Sequence, residues 1–264
     1  MALLPCRFVI DLGLSGTTVV VTGAGQGLGR AIGLAFAEQG AHVAFGYHRS
    51  AGGAEEAAAE ARAAGGRAEA VALDVRSDDA VRDGIERIAS TLGPIGVLVN
   101  NAAATARGPF LQTTPDDWAA QVDVTVTGTL RITHAVAGHM VANGDGGAIV
   151  NLMGDSGRVG ESGLLVTAAT RASTVGLTKS LAKEFARHGI RANAVSIGLV
   201  RTDNFADHAG GTDAERMARI VALYPLGRLG RPDDVVPMIL LLASPRSGWT
   251  TGQVVSVNGG YAMP

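Results

Sequence analysis

The chain has one cysteine, Cys6, in 264 residues. No intramolecular disulfide can form, and the usage fits a reducing cytoplasm. It has little charge of either sign, and the formal net charge is -2. No basic field recommends nucleic acid or an anionic membrane as a partner. No apolar run reaches the length of a membrane span free of charges. Aromatics are scarce at 4%, and the only tyrosines are Tyr47, Tyr224 and Tyr261. The six histidines, at 42, 48, 134, 139, 188 and 208, lack metal-ligand spacing, so no metal site is expected. Neither a Gly-x-Ser-x-Gly elbow nor an internal repeat is present.

What is abundant is glycine, 37 residues, within a composition that is 47% hydrophobic. That apolar content is ample for one large α/β core. Residues 1–14 read as a loose, apolar leader with no basic n-region. Strand-like and helix-like segments then alternate, the signature of a parallel sheet with crossover helices. Strands are expected at 17–21, 41–45, 68–73, 95–99, 147–153, 190–196 and 252–257. Asp78 reads as the cap of a helix, and Thr114-Pro115-Asp116-Asp117 as a helix start. That second helix is expected to run to about Met140, with Trp118, Val122, Val126 and Leu130 in one apolar row. Another should cover 163–187. Residues 202–224 are polar and weakly patterned, which suggests a substrate lid. The expected architecture is α/β: a Rossmann-type doubly wound parallel sheet of seven strands, helices on both faces, one domain.

The stretch Thr22-Gly23-Ala24-Gly25-Gln26-Gly27-Leu28-Gly29 lies between the first strand and the first helix. That is the context a dinucleotide-binding loop requires. Gly23 suits a sharp turn with positive φ, Gly27 admits a pyrophosphate to the backbone, and Gly29 permits close packing. The helix N-terminus offers free N–H groups to phosphate.

Further along come Asp74-Val75, Asn100-Asn101-Ala102, Gly176-Leu177-Thr178-Lys179, Ile190-Arg191-Ala192-Asn193-Ala194 and Val257-Asn258-Gly259-Gly260. In this order and spacing, the chain resembles the classical short-chain dehydrogenase/reductase family, notably its 3-oxoacyl-carrier-protein reductase-like members. The resemblance implies an NAD(P) site built by Gly23, Gln26, Gly27, Leu28, Gly29, Asp74, Val75, Asn101, Ala102, Arg171, Val200 and Thr202. Asp74 would accept from the adenine amino group, unless it merely caps a turn. Asn100 would line the ribose with Ala102. After the second strand, Gly46-Tyr47-His48-Arg49-Ser50 contains no acid to pair with a ribose 2′-hydroxyl. Arg49 and Ser50 suit a 2′-phosphate, with Arg30 nearby, so NADP is favoured over NAD. A solvated Arg49 is the plainer alternative.

The family's proton relay uses an asparagine, a serine, a tyrosine and a lysine. The matching positions here hold Thr125, Gly154, Thr167 and Arg171. A threonine does not ionise near neutral pH, and an arginine cannot act there as acid or base. Asp155 and Glu161 are possible substitutes, although both read more simply as solvated loop acids. Tyr224, at the end of the lid, is a candidate acid if it swings inward, and packing is its simpler role. The resemblance therefore implies a carbonyl/hydroxyl oxidoreductase of non-standard or very weak activity on a substrate the sequence does not identify. One alternative is a non-catalytic nucleotide-binding subunit beside an intact paralogue. Another is a repurposed non-redox enzyme. The family also implies dimers or tetramers, made through two long helices and the C-terminal strand.

Overall fold

The computed structural model describes residues 11–202, 205 and 214–264. Seven strands make one all-parallel sheet: β1 (Thr18–Val21), β2 (His42–Tyr47), β3 (Ala68–Ala72), β4 (Ile95–Asn100), β5 (Gly147–Gly154), β6 (Ile190–Ile197) and β7 (Val254–Val257). Their order across the sheet is 3-2-1-4-5-6-7. The order reverses between β1 and β4, and in such sheets the cleft opens beyond the strand ends at that point.

Alternation along the central strands builds two cores. Val19, Val21, Val43, Phe45, Val97 and Val99 face one side. There they meet α1 (Gly27–Glu38), α2 (Ala51–Ala63) and the helix Pro232–Ala243, through Ile32, Phe36, Ala57 and Ile239. Val20, Leu98 and Ile149 face the other side. They pack on α3 (Asp78–Leu92), α5 (Thr129–Asn143) and α7 (Leu165–Phe185), through Ile88, Val136, Met140 and Leu181. Among the described residues, the remaining α-helices are α4 (Pro115–Val122), α6 (Ser156–Val159) and α8 (Ala214–Val221), with Pro232–Ala243 as α9. No helix among the described residues is long and apolar enough to cross a membrane.

Several local expectations change. Ser77, not Asp78, caps α3, its side chain accepting from Ala80 N at 3.2 Å. The described part of the leader is not loose. Leu14 is buried, Ser244 Oγ donates to Leu12 O at 2.5 Å, and Arg246 Nε donates to Asp11 O at 3.0 Å. Residues 1–10 lie outside the described residues, as do most of the lid's first half, 203–204 and 206–213. Thr114 does start α4, through a reciprocal capping box with Asp117 and with Pro115 in the first turn. The continuous helix expected up to Met140 is broken by a π-helical segment, Asp123–Gly128. Trp118, Val122, Val126 and Leu130 do not point into the core. Val122 is 41% and Leu130 49% exposed, and Gln121, Thr125 and Ile132 are buried instead. Trp118 stacks on Phe110 with ring centroids 5.4 Å apart.

Candidate active site

A cleft of about 890 Å³ opens beyond the carboxyl ends of β1, β4 and β5. Of the residues assigned above to the cofactor, all but Asn100 line it. Its first end is backbone. Gly23 turns at φ 65° and Gly27 at φ 54°. A Cβ on Gly29 would lie 2.3 Å from Gly23 O and 2.5 Å from Asn101 Nδ2. The loop therefore curls tightly onto β4, and only glycine permits it. Asn101 Nδ2 fixes that curl, donating to Thr22 O at 2.9 Å and Gly23 O at 3.1 Å. Gln26 precedes α1 in extended backbone and provides no side-chain cap, and the first turn of α1 holds no acid. The first N–H groups of α1 and the positive end of its dipole are left for an anion. A bare glycine cradle under an uncapped helix fits a pyrophosphate.

Ser50 lies beside this loop, with its Oγ 3.3 Å from Gln26 Oε1. Arg49 is exposed and makes no hydrogen bond or ion pair among the described residues. Arg30 is not available to a phosphate, because it pairs with Glu60 at 2.5 Å. Asp74 accepts from Arg76 N at 3.1 Å, Arg76 Nε at 2.9 Å and Arg76 Nη2 at 2.8 Å. The Arg76 guanidinium holds its carboxyl down at about 2. Asp74 thus makes the turn-capping contact while still facing the cleft. Asn100 does not line the cleft. Its Nδ2 donates inward to Thr133 Oγ1 at 2.9 Å and Asn151 Oδ1 at 2.8 Å, tying β4 to β5 and α5.

The other end lies between β5, α7 and the loop after β4. Thr167 and Arg171 sit one turn apart on α7, and both line the cleft with Gly154. Thr167 is 3% exposed, and its hydroxyl donates to Gln121 Oε1 at 2.5 Å. Thr125, on the π segment, does not line the cleft. It accepts from Ala104 N at 3.1 Å and so pins the loop that follows β4. A Cβ on Gly154 would meet only Ser156 Oγ, at 3.6 Å, so there is room for a side chain but none is present.

Asp155 is not the solvated loop acid expected. It is 2% exposed, accepting from Ser196 Oγ at 2.5 Å and Asn258 Nδ2 at 2.7 Å. These bonds join β5 to β6 and to the turn after β7. Glu161 does lie at the surface, but it pairs with Arg107, which also donates to Ser162 O at 3.1 Å. Tyr224 and Tyr261 stack on one another at the cleft wall, centroids 5.1 Å apart. Tyr224 needs no swing: it is buried there, and its phenol oxygen accepts from Leu199 N at 2.7 Å. Burial pushes it up to about 12, and Tyr261 is also raised, chiefly by burial. Sequence reading missed Gln121 as the partner of Thr167, because its position within α4 carries no motif.

Residues 23–262 match the family model described as enoyl-(acyl carrier protein) reductase. The chain is a classical short-chain dehydrogenase/reductase. It is 34% identical to the 3-oxoacyl-[acyl-carrier-protein] reductase FabG of Thermotoga maritima, over 95% of this chain and 99% of that one. It is 33% identical to subunit BbsD of the (2S)-[(R)-hydroxy(phenyl)methyl]succinyl-CoA dehydrogenase of Thauera aromatica, over 96% and 99%. Among solved structures, a protein of Beutenbergia cavernae superposes with a TM-score of 0.88 at 36% identity, covering 95% of this chain and 98% of that one. That protein is provisionally described as an NAD(P)-dependent gluconate 5-dehydrogenase and has NADP bound at low occupancy. A short-chain oxidoreductase with a nicotinamide cofactor is thus the class to which the chain belongs.

Proposed function

We propose that this oxidoreductase grips NADP at the glycine-lined end of its cleft, that no described residue at the β5–α7 end is able to pass a proton, and that its ketoreductase chemistry is therefore non-standard or very weak. Bound as NADPH, the cofactor would supply a hydride. Gly23, Gln26, Gly27, Leu28 and Gly29 would receive its pyrophosphate, with Asp74, Val75, Asn101 and Ala102 along the adenosine side. Arg49 and Ser50 would take a 2′-phosphate, the feature that favours NADP over NAD. Val200 and Thr202 would flank the nicotinamide end.

The observation that carries the reading is the fate of the hydroxyls around Thr167. The Thr167 proton is committed to Gln121 Oε1, and the cleft tyrosines are shifted upward. An efficient proton donor has a pKa near the working pH, and positioned acid–base groups contribute about 10²–10⁴-fold. Arg171 keeps its proton, Asp155 is held by two donors, and Glu161 is paired at the rim. The test is NADPH binding followed by fluorescence, with single turnover of a keto ester. Saturable binding with negligible oxidation supports the reading, and no binding of either NADPH or NADH removes it.

A second reading is a nucleotide-binding subunit paired with an intact paralogue in the cytoplasm. The half-exposed apolar face of Val122, Leu130 and Leu165 on α4, α5 and α7 favours a helical partner. BbsD, by its name, is one subunit of its enzyme. A homodimer or homotetramer would use the same face. Co-purification with a tyrosine-containing paralogue in equal amounts supports the mixed assembly, and a pure homo-oligomer contradicts it. A repurposed non-redox enzyme is less favoured, because Asp155 and Glu161 in the cleft are already engaged.

A further inference from the structure

At the β5–α7 end of the cleft, one charge has no partner among the described residues. Arg171 is half-buried on α7 and lines the cleft, yet it makes no hydrogen bond or ion pair among the described residues. The acidic side chains at this end are engaged elsewhere: Glu161 with Arg107, and Asp155 with Ser196 and Asn258. Burial lowers the guanidinium pKa to about 10, by loss of water around the charge. Leu152, Leu164, Val124 and Ala104 are among the apolar or small residues that line the same cleft. Taking a cation out of water without a partner is costly, and an arriving anion removes that cost. The planar fork of a guanidinium matches the paired oxygens of a carboxylate or phosphate.

We propose that Arg171 anchors an oxyanion subsite, which takes the carboxylate or phosphate group of a small molecule seated at the reaction end of the cleft. The subsite rests on the dinucleotide reading only in that NADPH would occupy the other end. It changes the meaning of the exchange at residue 171. The position then recognises substrate charge and has no part in moving protons. It also names a class, small keto or hydroxy acids or their phosphorylated counterparts, in preference to neutral ketones or esters.

The test is calorimetric titration of the full chain, with and without saturating NADPH, using three probes on one carbon skeleton. Acetoacetate carries the carboxylate, acetonylphosphonate the phosphonate, and methyl acetoacetate neither charge. We expect at least one of the two anions to bind about tenfold or more tighter than the ester, a difference of about 1.4 kcal/mol. The tighter of the two names the source of the oxyanion. In Arg171→Gln the preference should vanish, while in Arg171→Lys a reduced preference should persist. Melting curves establish that each variant is folded, and the lysine variant carries the test if the glutamine variant is not. Equal binding of acids and ester by the natural chain overturns the subsite. So does a preference that survives in Arg171→Gln, or a variant that loses NADPH affinity and no anion affinity. Failure of NADPH to bind sinks the dinucleotide reading alone, because the cofactor-free titration still measures the subsite.

Discussion

At the β1–β4 end of the cleft, polar groups are presented outward. The α1 N-terminus is uncapped and Arg49 has no partner among the described residues. Asp74 still faces the opening while capping its own turn. At the β5–α7 end the polar groups are spent on one another. Thr167 donates to Gln121, Asp155 accepts from Ser196 and Asn258, and Tyr224 accepts from Leu199 N. Arg171 has no hydrogen bond or ion pair there among the described residues. One end of the cleft remains chemically open to a ligand, while the other has been consolidated into structure. Binding and chemistry occupy separate elements in this fold, so one can be kept while the other is lost.

Rebuilding the closed end should have the largest effect. Gly154→Ser, Thr167→Tyr and Arg171→Lys together should raise keto ester reduction about 10²–10⁴-fold, the span acid–base groups contribute. The measurement is kcat/KM with NADPH. No gain in a folded, NADPH-binding triple variant would mean that more than the relay separates the two ends. Damage to the open end comes next. In Gly29→Ala the added Cβ meets Gly23 O and Asn101 Nδ2. Overpacking of this kind costs about 1–3 kcal/mol, so NADPH affinity should fall about 10–100-fold by fluorescence titration. Unchanged affinity would show that the loop does not form the cradle.

The fold was legible because its signals are local and repeated. Glycine turns after strands, proline and acids at the start of α4, and the seven-stranded parallel sheet all follow from short patterns in sequence. The open end of the cleft was legible for the same reason, since a glycine loop announces itself. On the reading proposed above, the closed end was legible only through the residues at positions 125, 154, 167 and 171. Gln121 reaches Thr167 across 46 positions, and Asn258 reaches Asp155 across 103. Spacing along the chain carries no trace of such pairs. The π segment was also invisible, since Asp123–Gly128 contains no proline and continues an apparent helical pattern. Within it, Thr125 accepts from Ala104 N at 3.1 Å.

Smaller changes sharpen the contrast. Arg49→Ala should weaken NADPH about tenfold while leaving NADH unaffected, as removal of a charged hydrogen-bond donor from a phosphate costs about 1.5–3 kcal/mol. An equal loss for both cofactors would contradict the assignment. Tyr224→Phe tests the consolidated end. Its folded pKa of about 12 lies above the unfolded value near 10. The buried phenol therefore contributes stability that is complete below pH ~10 and is lost as pH rises toward ~12. Denaturation against pH should show that alkaline decline in the natural chain and a flatter one in the variant. An equal decline in both would mean that Tyr224 is not buried as a phenol.

The central claim meets its most direct test in single turnover. The chain is saturated with NADPH, mixed with ethyl acetoacetate, and the reduced-nicotinamide absorbance is followed. The account predicts a bound cofactor whose absorbance stays essentially constant. Rapid oxidation of the bound NADPH, abolished by Thr167→Val or Arg171→Gln, would contradict it.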